Sequence, residues 1–182
     1  MIFSKGELMA KVSIQQIELD EKTVIRELQR NANESIDGIA KRCGFSRQKV
    51  WRIIKKLEEN KTIWGYHAVV DNMKLHLKTY ILLVKKSNKP FSEIVDTIIG
   101  REFERNAKEV GATIDESLYL HGYYDWMIMF TAEDIRQAKK FNEQFNRVYQ
   151  NYVIETYLLE EIFPVKTCGV ENPNVKKLKE FV

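Results

Sequence analysis

The chain has only two cysteines in 182 residues, Cys43 and Cys168, and they lie far apart. Without a CxxC pair or a Cys/His cluster, neither a disulfide framework nor a structural zinc site is available. Reduced thiols in a cytoplasmic setting are the expectation. Histidine is scarce as well, at three residues. No clustered carboxylates and no nucleophile–base spacing accompany it, so the residues offer no catalytic group, no metal site and no cofactor motif. Long apolar runs are missing too. The longest are four or five residues, against the ~20 that a membrane helix needs. Met1–Lys11 is too short and too interrupted by charge to read as a signal peptide. A strong overall charge is also absent, since the net value is only +3.

What is present is a globular composition, 44% hydrophobic and 30% charged, with an uneven charge distribution. From Asp20 to Thr62 there are eleven Lys/Arg against seven Asp/Glu, whereas residues 63–182 carry sixteen against seventeen. The excess cations sit in the N-terminal third, where a polyanion would be met.

That third reads as three helices. Residues 1–17, with Gly6 and mixed charge, read as an N-terminal arm. Leu19–Arg30 is a helix with Val24, Ile25 and Leu28 as its apolar stripe, and with Asp20 and Glu21 in an opening turn where the helix dipole favours acids. Ser35 caps a short helix, Ile36–Cys43, whose inner face is Ile36, Ile39, Ala40 and Cys43. Gly38 is a poor helix residue within it. Gly44 can take the left-handed conformation that ends a helix, Phe45 plugs the corner, and Ser46 caps the next helix. In that third helix, Arg47–Asn60, a rotation of 100° per residue gathers Val50, Ile53, Ile54 and Leu57 toward a core. Gln48, Arg52 and Lys55 fall on the opposite side, flanked by Lys49, Trp51 and Lys56. Gln pairs with adenine and Arg with guanine along the major groove, while Lys contacts to phosphate supply salt-sensitive affinity. Ser46 and the N-terminal amides suit a phosphate oxygen. The arrangement is a helix-turn-helix. Ser35, Ser46, Arg47, Gln48 and Lys49, with Trp51, Arg52, Lys55 and Lys56, are its candidate contacts to double-stranded DNA. Thr62–Val70 follows with strand-formers and Gly65, a short wing or an extended linker.

The pattern then changes. After a linker at 71–78, Thr79–Lys86 reads as a strand. Phe91–Val110 is a helix with Phe91, Ile94, Val95, Ile98, Ile99 and Phe103 at helical spacing. Ala112–His121 and Trp126–Thr131 are strands joined by the turn Gly122–Asp125. Ala132–Gln150 is a helix with Ile135, Ala138, Phe141, Phe145 and Val148 as its buried stripe, and Tyr152–Phe163 is a last strand stopped by Pro164. The order β-α-β-β-α-β is the ferredoxin-like arrangement, an antiparallel sheet with both helices on one face. Apolar residues on the sheet's other face call for a second copy. The expected fold class is α+β: a winged helix-turn-helix over 18–70, a ferredoxin-like α/β sandwich over 79–164 and a tail over 165–182.

Taken together, I-R-E-L-Q-R, then S-I-D-G-I-A-K-R-C-G-F-S-R-Q-K-V, then L-E-E-N-K-T-I-W-G-Y, and a βαββαβ unit with G-Y-Y-D in its central hairpin resemble the Lrp/AsnC family of feast/famine transcription regulators. The resemblance runs from residue 18 to about 163. It implies binding to a pseudo-palindromic DNA site, dimers that assemble to tetramers or octamers, and a small-molecule effector, often an amino acid, bound between subunits near the hairpin turn. Carried over, that places Gly122, Tyr124 and Asp125 near an effector. The residues alone read as a hairpin turn whose Asp caps backbone amides. Lys61 stands where the family often has glycine. A tetrapyrrole decarboxylase on a similar two-domain architecture is the enzymatic alternative, with His121, Arg101 and Arg105 as candidates. A metabolite sensor that does not bind DNA is the other.

Overall fold

The computed structural model describes residues 5–90, 92, 95, 98, 100 and 102–182. The chain divides into two compact units. Met1–Val69 with Lys166–Pro173 form one, and Val70–Val165 with Asn174–Val182 the other.

In the first unit, α1 is a single helix, Lys5–Arg30. It is longer than the expected Leu19–Arg30 and absorbs most of the arm expected over 1–17. The reason lies in the sequence: after Gly6, the residues to Leu19 include Glu, Leu, Met, Ala, Lys and Gln, all strong helix formers, and no proline. Asp20 and Glu21 therefore stand inside the helix and not in its opening turn. The second helix, α2, spans Ile36–Cys43, and the third, α3, spans Arg47–Glu59. Both are capped by serine. Ser35 Oγ accepts the Gly38 N–H at 3.0 Å, and Ser46 Oγ accepts the Lys49 N–H at 3.2 Å. Between them Gly44 has φ 67°, and the Phe45 N–H returns to the Ala40 carbonyl at 3.0 Å. Val24, Ile39, Ala40 and Val50 form the buried centre, with Leu28, Ile36, Cys43, Phe45, Ile53 and Ile54 packed around it. Gly38 has a steric explanation. A Cβ there would lie 2.4 Å from Glu34 Oε1, and that carboxylate is occupied, taking the Ser35 N–H and pairing with Arg42.

The end of α3 carries one strained residue. Lys61 has φ 61°. This lets its N–H reach the Glu58 carbonyl at 3.2 Å and the Ile63 N–H reach the Leu57 carbonyl at 2.9 Å. A left-handed conformation costs a residue with a Cβ about 1–2 kcal/mol, partly offset by the larger entropy that glycine loses on folding. Lys61→Gly is accordingly expected to stabilise the protein by about 0.5–1 kcal/mol, raising the thermal midpoint by a few degrees; a lowered midpoint would contradict this account of the turn. Ile63 lies in a bend, and from Trp64 to Val70 the chain has no regular secondary structure and joins no sheet among the described residues. The small hairpin in this unit is instead β5 (Lys166–Thr167) paired with β6 (Val170–Glu171), from the C-terminal segment.

The second unit begins with a 3-10 turn at Asn72–Leu75, then β1 (Lys78–Lys86), α4 (Glu102–Glu109), β2 (Thr113–Tyr119), β3 (Trp126–Ala132), α5 (Ile135–Val148) and β4 (Val153–Glu160). The sheet order is β2-β3-β1-β4 with every pairing antiparallel. This is the expected βαββαβ arrangement. Of the apolar positions expected in the helix Phe91–Val110, Phe91, Ile94 and Ile99 lie outside the described residues. Tyr80, Leu82 and Val84 of β1 and Trp126, Ile128 and Phe130 of β3 face a core completed by Phe103, Ala107, Phe141, Phe145 and Tyr149. The expected stripe of α5 is narrower than its sequence suggests. Ala138, Phe141 and Phe145 are buried, whereas Ile135 and Val148 at its two ends are exposed. A second 3-10 turn spans Val175–Glu180.

Because side chains alternate along a strand, the residues between the core positions fall on the sheet's other face. Register pairs Ile81 with both Met129 and Leu159, and Leu83 with both Met127 and Tyr157; Leu118 lies opposite Met127. The result is an apolar face across all four strands, with Leu118, Tyr157 and Leu159 exposed.

Candidate nucleic-acid interface

The outward face of α3 is built by its own periodicity. Burying Val50 and Leu57, with Ile53 and Ile54 half-buried, forces Gln48, Trp51, Arg52 and Lys55 outward, and all four are exposed. Ser35 and Ser46 are exposed at the first turns of α2 and α3, where free amides and the helix dipole suit an anion.

The cations of α3 are not equivalent. Lys49 Nζ lies 2.6 Å from Asp20 Oδ2 and 3.9 Å from the centre of the Phe45 ring. Lys56 Nζ lies 2.7 Å from Glu21 Oε1. These two lysines are 100° and 80° around the helix from Gln48 at 100° per residue, so they address α1. The ammonium of Lys49, together with Gln16, holds the Asp20 carboxyl below the usual carboxylate range. Arg47 pairs with Asp37 at 2.7 Å, and both are exposed. Lys55 pairs with Glu58 at 2.9 Å, which lowers the Glu58 carboxyl in turn. Arg52 alone among these five has no ion pair among the described residues. Pairs as exposed as Arg47–Asp37 and Lys55–Glu58 are worth at most about 1 kcal/mol, so a phosphate can displace the carboxylate. Lys49 and Lys56 are held against carboxylates that are more than four-fifths buried, and they act as links between α1 and α3. The sequence held a signal for this arrangement that periodicity did not use: two adjacent acids on α1 and two lysines seven apart on α3.

The hairpin turn of the second unit is organised by Asp125. Its carboxylate accepts the Lys86 N–H at 3.0 Å, its own N–H donates to the Val84 carbonyl at 2.9 Å, and its carbonyl accepts the Leu120 N–H at 2.7 Å. The Lys85 and Lys86 ammonium groups stand 3.9 and 4.0 Å from the same carboxylate. Lys85 also donates to the Tyr123 carbonyl. Tyr124 packs edge-on against Tyr123, with centroids 5.0 Å apart, and against Tyr157 at 5.8 Å. Loss of hydration pushes the Tyr124 phenol up, and a hydrogen bond with Glu155 does the same to Tyr157. Gly122 is exposed and needs no positive φ. The expected trio is thus brought together as a turn with an amide-capping Asp, beside two lysines and two further tyrosines. Of the decarboxylase candidates, His121 and Arg105 are exposed, and Arg101 lies outside the described residues. Among the described residues no cluster of His, Cys, Asp or Glu is arranged to hold a metal ion, and no helix is long and apolar enough to cross a membrane.

Residues 21–63, the span from mid-α1 through α3, match the winged helix-turn-helix DNA-binding family. Among curated proteins no sequence matches the chain. Solved structures share its fold over most of its length. PH0061 has a TM-score of 0.66 at 18% identity, covering 81% of this chain and 94% of that one. The AsnC family transcriptional regulator from Agrobacterium tumefaciens has a TM-score of 0.60 at 19% identity, covering 81% and 92%. The transcriptional regulator NMB0573 of Neisseria meningitidis, solved as a complex with L-Met, has a TM-score of 0.59 at 15% identity, covering 81% and 91%. At these identities the likeness is one of fold: a helix-turn-helix unit followed by a four-stranded α+β unit.

Proposed function

We infer that this chain is a transcription regulator of the Lrp/AsnC family, which binds double-stranded DNA through α3 and works as a dimer or larger assembly in the cytoplasm. The observation that carries the reading is the outward face of α3. A helix capped by Ser46 presents Gln48 and Arg52, which have the chemistry to read bases, together with displaceable cations at Arg47 and Lys55. Ser35 and Ser46, at the two helix N-termini, suit the phosphates on either side. Lys49 and Lys56 contribute by fixing α3 on α1.

The apolar face of the four-stranded sheet supports assembly through the second unit, because a contiguous apolar face is left open by one-sided helix packing. An amino-acid effector is supported by the L-Met complex of the Neisseria regulator and by the character of the hairpin turn. There Gly122, Tyr124 and Asp125 lie beside Lys85, which suits a carboxylate, and beside tyrosine rings, which suit an apolar side chain.

The test is binding to a fragment of the chain's own upstream DNA at increasing salt. With several phosphates contacted, log K is expected to fall linearly with log salt, by about 0.9 per contact. Affinity that stays constant over a fourfold rise in salt would sink the phosphate-contact reading.

A further inference from the structure

Trp51 is the large apolar side chain of α2 and α3 that remains exposed, with half of its surface open. Among the described residues no ring, cation or hydrogen-bond partner holds the indole. Its place on the helix is specific. At 100° per residue it stands 60° from Gln48 and 40° from Lys55, on the opposite flank from Arg52. It thus shares the outward face with two polar residues and projects on the far side of Lys55 from Gln48, one turn beyond the capped start of α3.

An indole in that position is poorly explained as a phosphate contact. It has no charge and only one donor, and several cations are available nearby. In the major groove the polar edges suit Gln48 and Arg52, and the one apolar group presented there is the C5-methyl of thymine. We propose that Trp51 is a specificity-determining residue that packs its indole on a thymine methyl, next to the base read by Gln48. Each half-site then contains a thymine chosen by its methyl group and not by a hydrogen bond. This rests on the reading of α3 as the DNA-binding helix.

The methyl can be removed without changing any hydrogen bond by exchanging thymine for uracil. A footprinted site is synthesised with single dT→dU exchanges and titrated with the full-length protein. For the wild type, one position in each half-site is expected to lose affinity about fourfold, the value of one buried methyl. For Trp51→Ala, dT and dU at that position bind equally. For Trp51→Phe, which keeps an apolar ring, part of the discrimination returns. Equal thermal midpoints for the three proteins establish that the fold is unchanged, and the Phe variant carries the comparison if the Ala variant is unstable. If wild type and Trp51→Ala show the same dT/dU ratio at every position, or if the wild type shows none, the proposal is wrong while the DNA-binding reading stands. If the wild type recognises no site above bulk DNA, both fail.

Discussion

Arg52→Ala is expected to weaken binding to the specific site by about 1–3 kcal/mol per half-site, which in a symmetric dimer amounts to a loss of about 30-fold to 25,000-fold. The geometry makes this residue the strongest candidate on α3. Its guanidinium is exposed and, among the described residues, has no ion pair to break before it meets DNA. It stands 40° from Gln48, so the two can address neighbouring base pairs. The loss should fall on the specific site. Bulk DNA, held through phosphates, should weaken little, and the salt slope should stay nearly unchanged, because a slope change of about one per subunit belongs to a phosphate-contacting lysine. Lys55→Ala makes the contrast. Its ammonium must leave Glu58 before it takes a phosphate, so a smaller loss, equal on all sequences, is expected. Gel-shift titrations of both variants on the site and on bulk DNA decide the matter. Equal small losses on both DNAs would mean that α3 is rotated away from the groove.

Leu83→Lys is expected to convert the assembly to monomers at low micromolar concentration while leaving the fold intact. Leu83 lies on the central strand β1, between Met127 and Tyr157 in register, on the sheet face opposite the buried core. In an isolated subunit the ammonium would be solvated there. Buried at the centre of an apolar contact between two subunits it would be unpaired, at a cost of several kcal/mol. Lys85, two residues along the same face, adds like-charge repulsion. The adjacent residue provides the control. Leu82 is fully buried on the helix face, so Leu82→Lys should unfold the second unit outright. Sedimentation velocity with far-ultraviolet circular dichroism separates the outcomes. A Leu83→Lys protein that still sediments as a dimer would place the interface elsewhere. Loss of the dimer also removes one of two linked half-site contacts, so DNA affinity should fall with it by orders of magnitude.

Much of this architecture is written in short-range pattern. The 3.6-residue period placed α2 and α3, the two serines marked their starts, and Gly44 marked the turn, because caps and left-handed turns are decided within four or five residues. The alternation of strands and helices placed the βαββαβ unit for the same reason. The candidate site was legible to the same depth: which α3 side chains point outward follows from which point inward.

Other features were not legible, because they depend on partners distant in sequence. Lys56 meets Glu21 across a separation of 35 residues, and the Asp125 carboxylate receives the Lys86 amide across 39. Periodicity assigned Lys49 and Lys56 to the DNA side with the other cations; only the position of α1 gives them carboxylates to face. The same helix, running back to Lys5, moved Asp20 and Glu21 from an opening turn into the middle of α1, where they meet those lysines. Lys61 is a local case: it stands where the resembled family often has glycine, and its left-handed backbone goes with the two short-range hydrogen bonds closing α3. The sequence by itself determined the helices, the strands and the outward face of α3, since each is a matter of neighbours along the chain. Only the tertiary structure decided which of that face's cations are free, because a charge is tied or available according to what packs beside it.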